Sequence, residues 1–359
     1  MVNINVAILF CSLILQPMRN AQESQGIAST SLRQNAMRDV VAGVDAGGTR
    51  IKIGLVETSG RVISSEILRT ADCTDAESFL NLVVDNIRAL ARAASVQVTA
   101  VGIGCPGRVD FTSGKVLWLK SKLEFLEGVS LAEKLGERLA CPVICDNDTN
   151  VILTGEVRYG AARGYRDVIA ISVGTGIGGA LLIGGSMVRG HNWATGHFGY
   201  MSLNPLGPKH VCGNTGIFEE HVSQSGIQRQ VRKALDAGEA SQLTRYLAHG
   251  KAPEMQELFD AAEVGDPLGS RLVEHLISEL GVLIANLVYT LDPQLVLLGG
   301  GVLTHRPGIL DVIQRQVVGR LDCLSPGTTE ILLMTLGDAA GILGGAALAM
   351  DAIHQTQQG

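Results

Sequence analysis

From Val40 onward, short apolar runs alternate with polar, glycine-rich breaks, the pattern of strands joined by tight turns. Residues 40–45 and 51–56 read as strands, Thr58-Ser59-Gly60 as a hairpin turn and residues 61–68 as a third strand. Residues 75–94 follow helical spacing, with Phe79, Val83, Ile87, Leu90 and Ala94 on one face. A strand at 98–104 ends in the turn Cys105-Pro106-Gly107. Ser130 and Glu133 have the spacing of a capping box opening a helix to about Leu139. A short strand at 142–145 and a helix at 149–159 close the first half. The second half repeats the scheme, with strands at 168–173 and 179–183, helices at 218–235 and 267–291, strands at 294–298 and 331–336, and a small-residue helix from Gly337 to about Met350. One unit used twice predicts two similar α/β domains, 37–147 and 148–337, with a helix at about 338–355 completing the first. Ligands in such folds bind in a cleft at the carboxyl ends of strands.

Composition narrows this picture. Hydrophobic residues make up 46% of the 359 residues, aromatics only 4%, and there are 44 glycines, which suits Val/Ile/Leu/Ala cores and tight turns. The net charge of −6 comes without a basic cluster and argues against a nucleic-acid partner. The seven scattered cysteines fit a reducing cytoplasm and no disulfide framework. The apolar run at 6–15 is too short to span a bilayer, and no Lys or Arg precedes it as a secretory signal requires. Residues 22–35 have a disordered composition. Residues 1–36 therefore read as a dispensable extension or a start assigned too early, with a targeting segment as the alternative, and no membrane association is expected.

Candidate chemistry sits at strand ends. Gly174, Gly176, Gly178 and Gly179 surround Thr175 between two strands, and an earlier turn, Asp45-Ala46-Gly47-Gly48-Thr49, has the same form. Both let backbone N–H groups approach phosphate oxygens, either turn alone being equally readable as a plain hairpin. Asp45 can hold Mg²⁺ through hard oxygen ligands, Thr49 can donate to phosphate, and Lys52 can add charge. Asp148, after the strand at 142–145, is the candidate base that accepts a hydroxyl proton, with Asn147 beside it to bind a neighbouring hydroxyl. The helix dipole at that position lowers a carboxylate pKa, and Asp146 or Asp148 can instead serve only as a helix cap. Gly300, in the run Gly299-Gly300-Gly301, suits close approach of an adenosine.

Together, Asp45-x-Gly47-Gly48-Thr49, Gly102-x-Gly104-Cys105-Pro106-Gly107, Asn147-Asp148-Thr149-Asn150, Gly174-Thr175-Gly176-x-Gly178-Gly179, Leu298-Gly299-Gly300-Gly301 and Leu336-Gly337-Asp338 resemble, in order and spacing, the ROK family of the sugar kinase/hsp70/actin superfamily. The resemblance implies two actin-like (ribonuclease H-like) α/β domains with an interdomain cleft, a homodimer, and transfer of the γ-phosphate of ATP·Mg²⁺ to a hexose hydroxyl, usually O6. It assigns Asp148 as catalytic base, Asn147 and Glu219 as sugar contacts, and the two glycine turns as phosphate sites. Three departures stand out. The family's Gly-Glu-x-Gly-His segment reads Gly196-His197-Phe198-Gly199-Tyr200, leaving His197 and Tyr200 as substitute hydroxyl partners. Its Asn-Leu sugar contact falls at Lys122-Leu123, where a lysine either favours an acidic substrate or points to solvent. Its zinc loop keeps only His210 and Cys212 as good ligand types, short of the four that structural zinc needs, and His197 or His221 would add to them only at an unfamiliar spacing.

Three functions are then distinguishable. A hexose kinase, acting on glucose or a related aldohexose or hexosamine, needs Asp148 and both turns. A sugar-responsive regulator needs a helix-turn-helix ahead of the first turn, and the 38 residues before Asp39 show no two-helix pattern. A catalytically silent sugar-binding scaffold is compatible with the replaced sugar contacts.

Overall fold

The computed structural model describes residues 38–358, apart from 121, 249–251, 307 and 324–328. The expectations for 1–36 lie outside them. Strands β1 (Arg38–Ala46), β2 (Arg50–Val56) and β3 (Val62–Arg69) form an antiparallel meander, followed by helix α1 (Ala76–Ala94) and strand β4 (Val96–Cys105). A small ribbon of β5 (Arg108–Asp110) and β6 (Lys115–Trp118), helix α2 (Leu131–Leu139), strand β7 (Val143–Asn147) and helix α3 (Asp148–Tyr159) complete the first half. The second half runs β8 (Val168–Val173), β9 (Ile177–Ile183), β10 (Ser186–Met187), α4 (Glu219–Val222), α5 (Gln224–Asp236), α6 (Thr244–Ala248), α7 (Met255–Glu263), α8 (Pro267–Leu291), β11 (Leu295–Gly299), α9 (Gly301–Thr304), α10 (Gly308–Val318), β12 (Glu330–Leu333) and α11 (Ala340–Gln358).

The two five-stranded sheets have the same order, β3-β2-β1-β4-β7 and β10-β9-β8-β11-β12. In each, an antiparallel meander continues into two parallel strands. The duplication expected from the hydrophobic pattern is therefore present strand for strand. Each sheet has its own apolar core. Val44, Ile53, Phe79, Val83 and Ile103 fill the first, and Ile171, Phe218, Leu280, Ile284 and Leu298 the second. Helix α8 is long and apolar enough to cross a membrane by length and composition, yet most of it is buried in that second core.

Helices α3 and α11 each pack across to the other half. Ile342, Ala346 and Ala349 of α11 lie on Val41, Val56 and Ala100 of the first sheet, while Leu153 of α3 packs with Val168, Ala170 and Leu297 of the second. Only bare backbone fits at the crossing. A Cβ on Gly43 would lie 1.9 Å from Ile342 O, one on Gly102 1.9 Å from Gly345 O, and one on Gly344 2.0 Å from Val151 O.

Three local expectations are corrected. Ser130 precedes α2 but caps nothing, because its Oγ donates to Ser113 O at 2.8 Å, where the loop edge makes a stronger local claim. The expected helix 218–235 breaks at Ser223, whose extended backbone ends α4 and whose Oγ accepts from Gly226 N to start α5. The last strand stops at Leu333, not 336. Buried Glu156 draws the N–H groups of Thr335 and Leu336 out of the ladder at 2.8 and 2.9 Å.

Replacing Gly102 by alanine would force α11 off the first sheet. We expect a loss of about 2–3 kcal/mol, or failure to fold, in urea denaturation, whereas Gly48→Ala, with nothing within 4 Å of its Cβ, stays near wild type.

Candidate functional site

Strand ends deliver the site. Asp45 ends β1, Asn147 ends β7 and Asp148 opens α3. Asn147 is the N-cap of α3: its Oδ1 accepts from Thr149 N at 3.0 Å, and its Nδ2 donates to Gly107 O at 2.9 Å. One Nδ2 hydrogen remains for a ligand. Asp148 Oδ1 accepts from Thr149 N at 2.8 Å and from Thr149 Oγ1 at 3.3 Å. Burial nevertheless raises the Asp148 carboxyl above its ordinary value, outweighing these bonds. The lowered pKa expected from a helix start is thus reversed, and the group is the stronger base for it. Asp146 is no cap. It is buried, pairs with Arg189 Nε at 2.8 Å and accepts from Asn150 Nδ2 at 2.9 Å. The Arg189 guanidinium also lies 3.6 Å over the Phe111 ring, so the loop after β10 is tied to the β5–β6 turn as well as to the end of β7.

The glycine turn between β8 and β9 is held against both Thr149 and Glu219. A Cβ on Gly178 would lie 2.2 Å from Thr149 Oγ1, and one on Gly176 2.4 Å from Glu219 Oε2. The Gly174 carbonyl accepts from Gln224 N at 2.9 Å, and the Thr175 carbonyl from Ser225 Oγ at 2.7 Å. Glu219 accepts from Ile177 N at 2.9 Å, and burial raises its pKa. Tyr200 stacks on His197 with ring centroids 5.4 Å apart and meets Trp118 edge-on at 6.0 Å. Burial, then the negative charge of Glu219, holds the Tyr200 hydroxyl protonated, while burial and Arg108 keep His197 neutral at pH 7. Tyr200 thus lies beside His197 and within electrostatic reach of Glu219 and Asp148, Asn147 adjoins Asp148, and Lys122 is exposed.

Sequence reasoning missed Arg108 and Trp118, which face each other across the β5–β6 ribbon. Arg108 directly follows Gly107, to which Asn147 is bonded, and its buried Nε finds no hydrogen-bond partner among the described residues. Its position directly after Cys105-Pro106-Gly107 was the available signal. A half-buried arginine with an unused donor beside a neutral histidine is suited to an oxygen-rich ligand.

On the other side of Asp45 lies a cavity of about 390 Å³, lined by Asp45, Lys52, Ser172, Gly300, Thr304 and Asp338 among others. The starts of Gly337–Ala339 and α11 also face it. Lys52 donates to Asp338 O and Oδ1, both at 3.0 Å, so its charge is partly neutralised and weaker for phosphate than expected. Gly47, Gly48 and Thr49 form the tip beyond the cavity lining. There Gly47 N donates to Arg50 O at 3.0 Å, and Thr49 is exposed. Burial, then the charge of Asp148, pushes Asp45 up to about 6. Two carboxylates that repel each other in an oxygen-lined site fit a hard divalent cation such as Mg²⁺. In the former zinc loop, His210 Nδ1 accepts from Cys212 N at 3.3 Å and its Nε2 faces Glu219 and Glu220 at 4.0 and 3.8 Å.

Duplicated sheets and crossed helices define a two-domain actin-like fold. The model of the ROK family matches residues 41–352, and the chain belongs to that family. It is 28% identical over 311 residues to a glucokinase of Thermotoga maritima, covering 87% of this chain and 97% of that one. It is 24% identical to the xylose repressor of Bacillus subtilis, covering 92% of this chain and 82% of the repressor. A ROK family glucokinase from Streptomyces griseus, solved with glucose and AMPPNP, superposes with a TM-score of 0.72 at 32% identity, covering 87% of this chain and 99% of that one.

The raised Asp45 sets a pH test. Its carboxyl favours the protonated form in the fold, so its stabilising share is present below about pH 4 and is lost as pH rises through about 6. Relative to wild type without nucleotide, Asp45→Asn should gain on the order of 2 kcal/mol at pH 7 and nothing at pH 4. Parallel melting curves across that range would contradict the assigned shift.

Proposed function

We propose that the chain is an ATP-dependent sugar kinase that phosphorylates a hexose, at the 6-hydroxyl of glucose or a related aldohexose or hexosamine. The observation that carries this reading is the place of Asp148, between a polar pocket of Asn147, His197, Tyr200 and Glu219 and the cavity beside Asp45. The solved glucokinase–glucose–AMPPNP complex of a ROK relative supports it.

In this reading the adenosine lies by Gly300 and Thr304, and the triphosphate extends toward Asp45. Asp45 would hold Mg²⁺, which when bound offsets the charge of the phosphates. The neutral His197, the Tyr200 hydroxyl, Glu219 and the remaining Asn147 donor orient the sugar. Its hydroxyl oxygen attacks the γ-phosphorus as the bond to the β-phosphate oxygen breaks and ADP leaves. Asp148 Oδ2 takes the hydroxyl proton while Oδ1 stays fixed by Thr149. Little covalent help is needed, because such transfers are driven by positioning and charge stabilisation. Arg108 supplies a further donor to a sugar oxygen.

A second reading, a sugar-binding regulator, is favoured by the xylose-repressor likeness and by the exchange of Glu and His in the 196–200 segment. One variant separates the two. Asp148→Asn should lower kcat about 10²–10⁴-fold while glucose and nucleotide still bind in calorimetry. Sugar binding by the wild type with no ADP release would favour the regulator. Arg108→Ala should raise the sugar KM about 10–100-fold, the worth of a charged hydrogen bond, with kcat much less affected. An unchanged KM would remove Arg108 from the sugar site.

A further inference from the structure

We infer that His221, His275 and Glu279 form a binding site for a divalent transition-metal ion of the zinc class, joining α4 to α8. His275 and Glu279 are one turn apart on α8 and so stand side by side, while His221 comes from α4. Their ligand atoms all lie within 4.8 Å of one another, and they are the one such group of His, Cys, Asp and Glu among the described residues. His221 Nδ1 is 3.0 Å from Glu279 Oε2, and His275 Nε2 is 2.7 Å from Glu279 Oε1.

Glu279 is the independent pointer. Its side chain is only 10% exposed, and its two oxygens face the two imidazoles, Oε2 toward His221 and Oε1 toward His275. A buried carboxylate between two imidazoles is costly unless a cation, either a protonated ring or a metal ion, meets it. Two imidazole nitrogens and one carboxylate suit zinc, cobalt or nickel better than magnesium or calcium. Three protein ligands leave a fourth position for water, and half-exposed His275 marks the entrance from solvent. The rings of His221 and His275 are 5.9 Å apart and tilted by 59°, so both nitrogens can turn to one centre. Gln230 Nε2 donates to the carbonyls of Glu220 and His221, each at 3.1 Å, which fixes the short helix carrying His221.

The site shares no ligand with the His210–Cys212 loop and does not depend on the kinase reading. It has a structural consequence. Helix α4 begins with Glu219, which holds Ile177 N at the glycine turn, so an ion at His221 would anchor that carboxylate to the core helix α8.

Co²⁺ titration of the metal-stripped full chain, followed by its visible ligand-field absorption, tests the proposal. One equivalent should give the band of a four-coordinate ion, and Zn²⁺ should displace it. His275→Ala and His221→Ala should lose the band, with Zn²⁺ affinity falling by more than the ~10–100-fold that loss of an outer-shell partner costs. Cys212→Ser should retain both. A wild type that takes up neither ion would overturn the proposal, as would a band lost in Cys212→Ser and kept in His275→Ala. The wild-type titration stands even if a variant misfolds.

Discussion

The molecule is organised around one steric constraint, the contact of bare backbone where α11 meets the first sheet and α3. At Gly43, Gly102 and Gly344 no side-chain atom fits between the elements. Because α3 belongs by sequence to the first half and packs on the second sheet, and α11 does the reverse, this contact joins the halves more closely than any loop does. It also sets the site. The start of α11 reaches Asp45 so closely that a Cβ on Gly341 would lie 2.5 Å from Asp45 Cβ. The start of α3 carries Asp148. The two helices that lock the fold therefore also bound the two central carboxylates, α3 carrying Asp148 and α11 closing on Asp45 of β1.

Those carboxylates are held at an electrostatic cost. Asp45 and Asp148 are both raised by burial, and the charge of Asp148 adds to the shift on Asp45. A protein selected for stability alone would replace such groups. In a phosphoryl-transfer site they have a use, since one can hold a cation while the other accepts a proton at neutral pH. Asp146, one residue before Asn147, is raised by burial as well, but Arg189 and Asn150 meet its charge and it serves the scaffold.

Much of this was legible in the sequence, for physical reasons. Short apolar runs ending in glycine turns mark buried strands, and the repetition of that unit is the repetition of the two sheets. Asp148 was readable as a candidate base, with a helix cap as the alternative, from its place directly after a buried strand. What could not be read depended on partners distant in sequence. The break at Ser223 and the early end of β12 come from hydrogen bonds at Ser223 and Glu156 that local pattern does not encode. The neutralising of Lys52 comes from Asp338, 286 residues away. Arg108 and Trp118 sit on a ribbon too short to leave a periodic signal. His221 is separated by 54 positions from His275, and only the packing of α4 on α8 brings them together.

The central claim is that this cleft transfers phosphate rather than only binding sugar. A coupled ADP-release assay of the wild type with ATP and Mg²⁺ tests it most directly, run across glucose, mannose, fructose, allose, glucosamine, N-acetylated hexosamines and inositols. The account predicts sugar-dependent ADP release with at least one hexose, together with a phosphorylated sugar in the product mixture. Sugar binding across the panel with no ADP released above the sugar-free rate would contradict it.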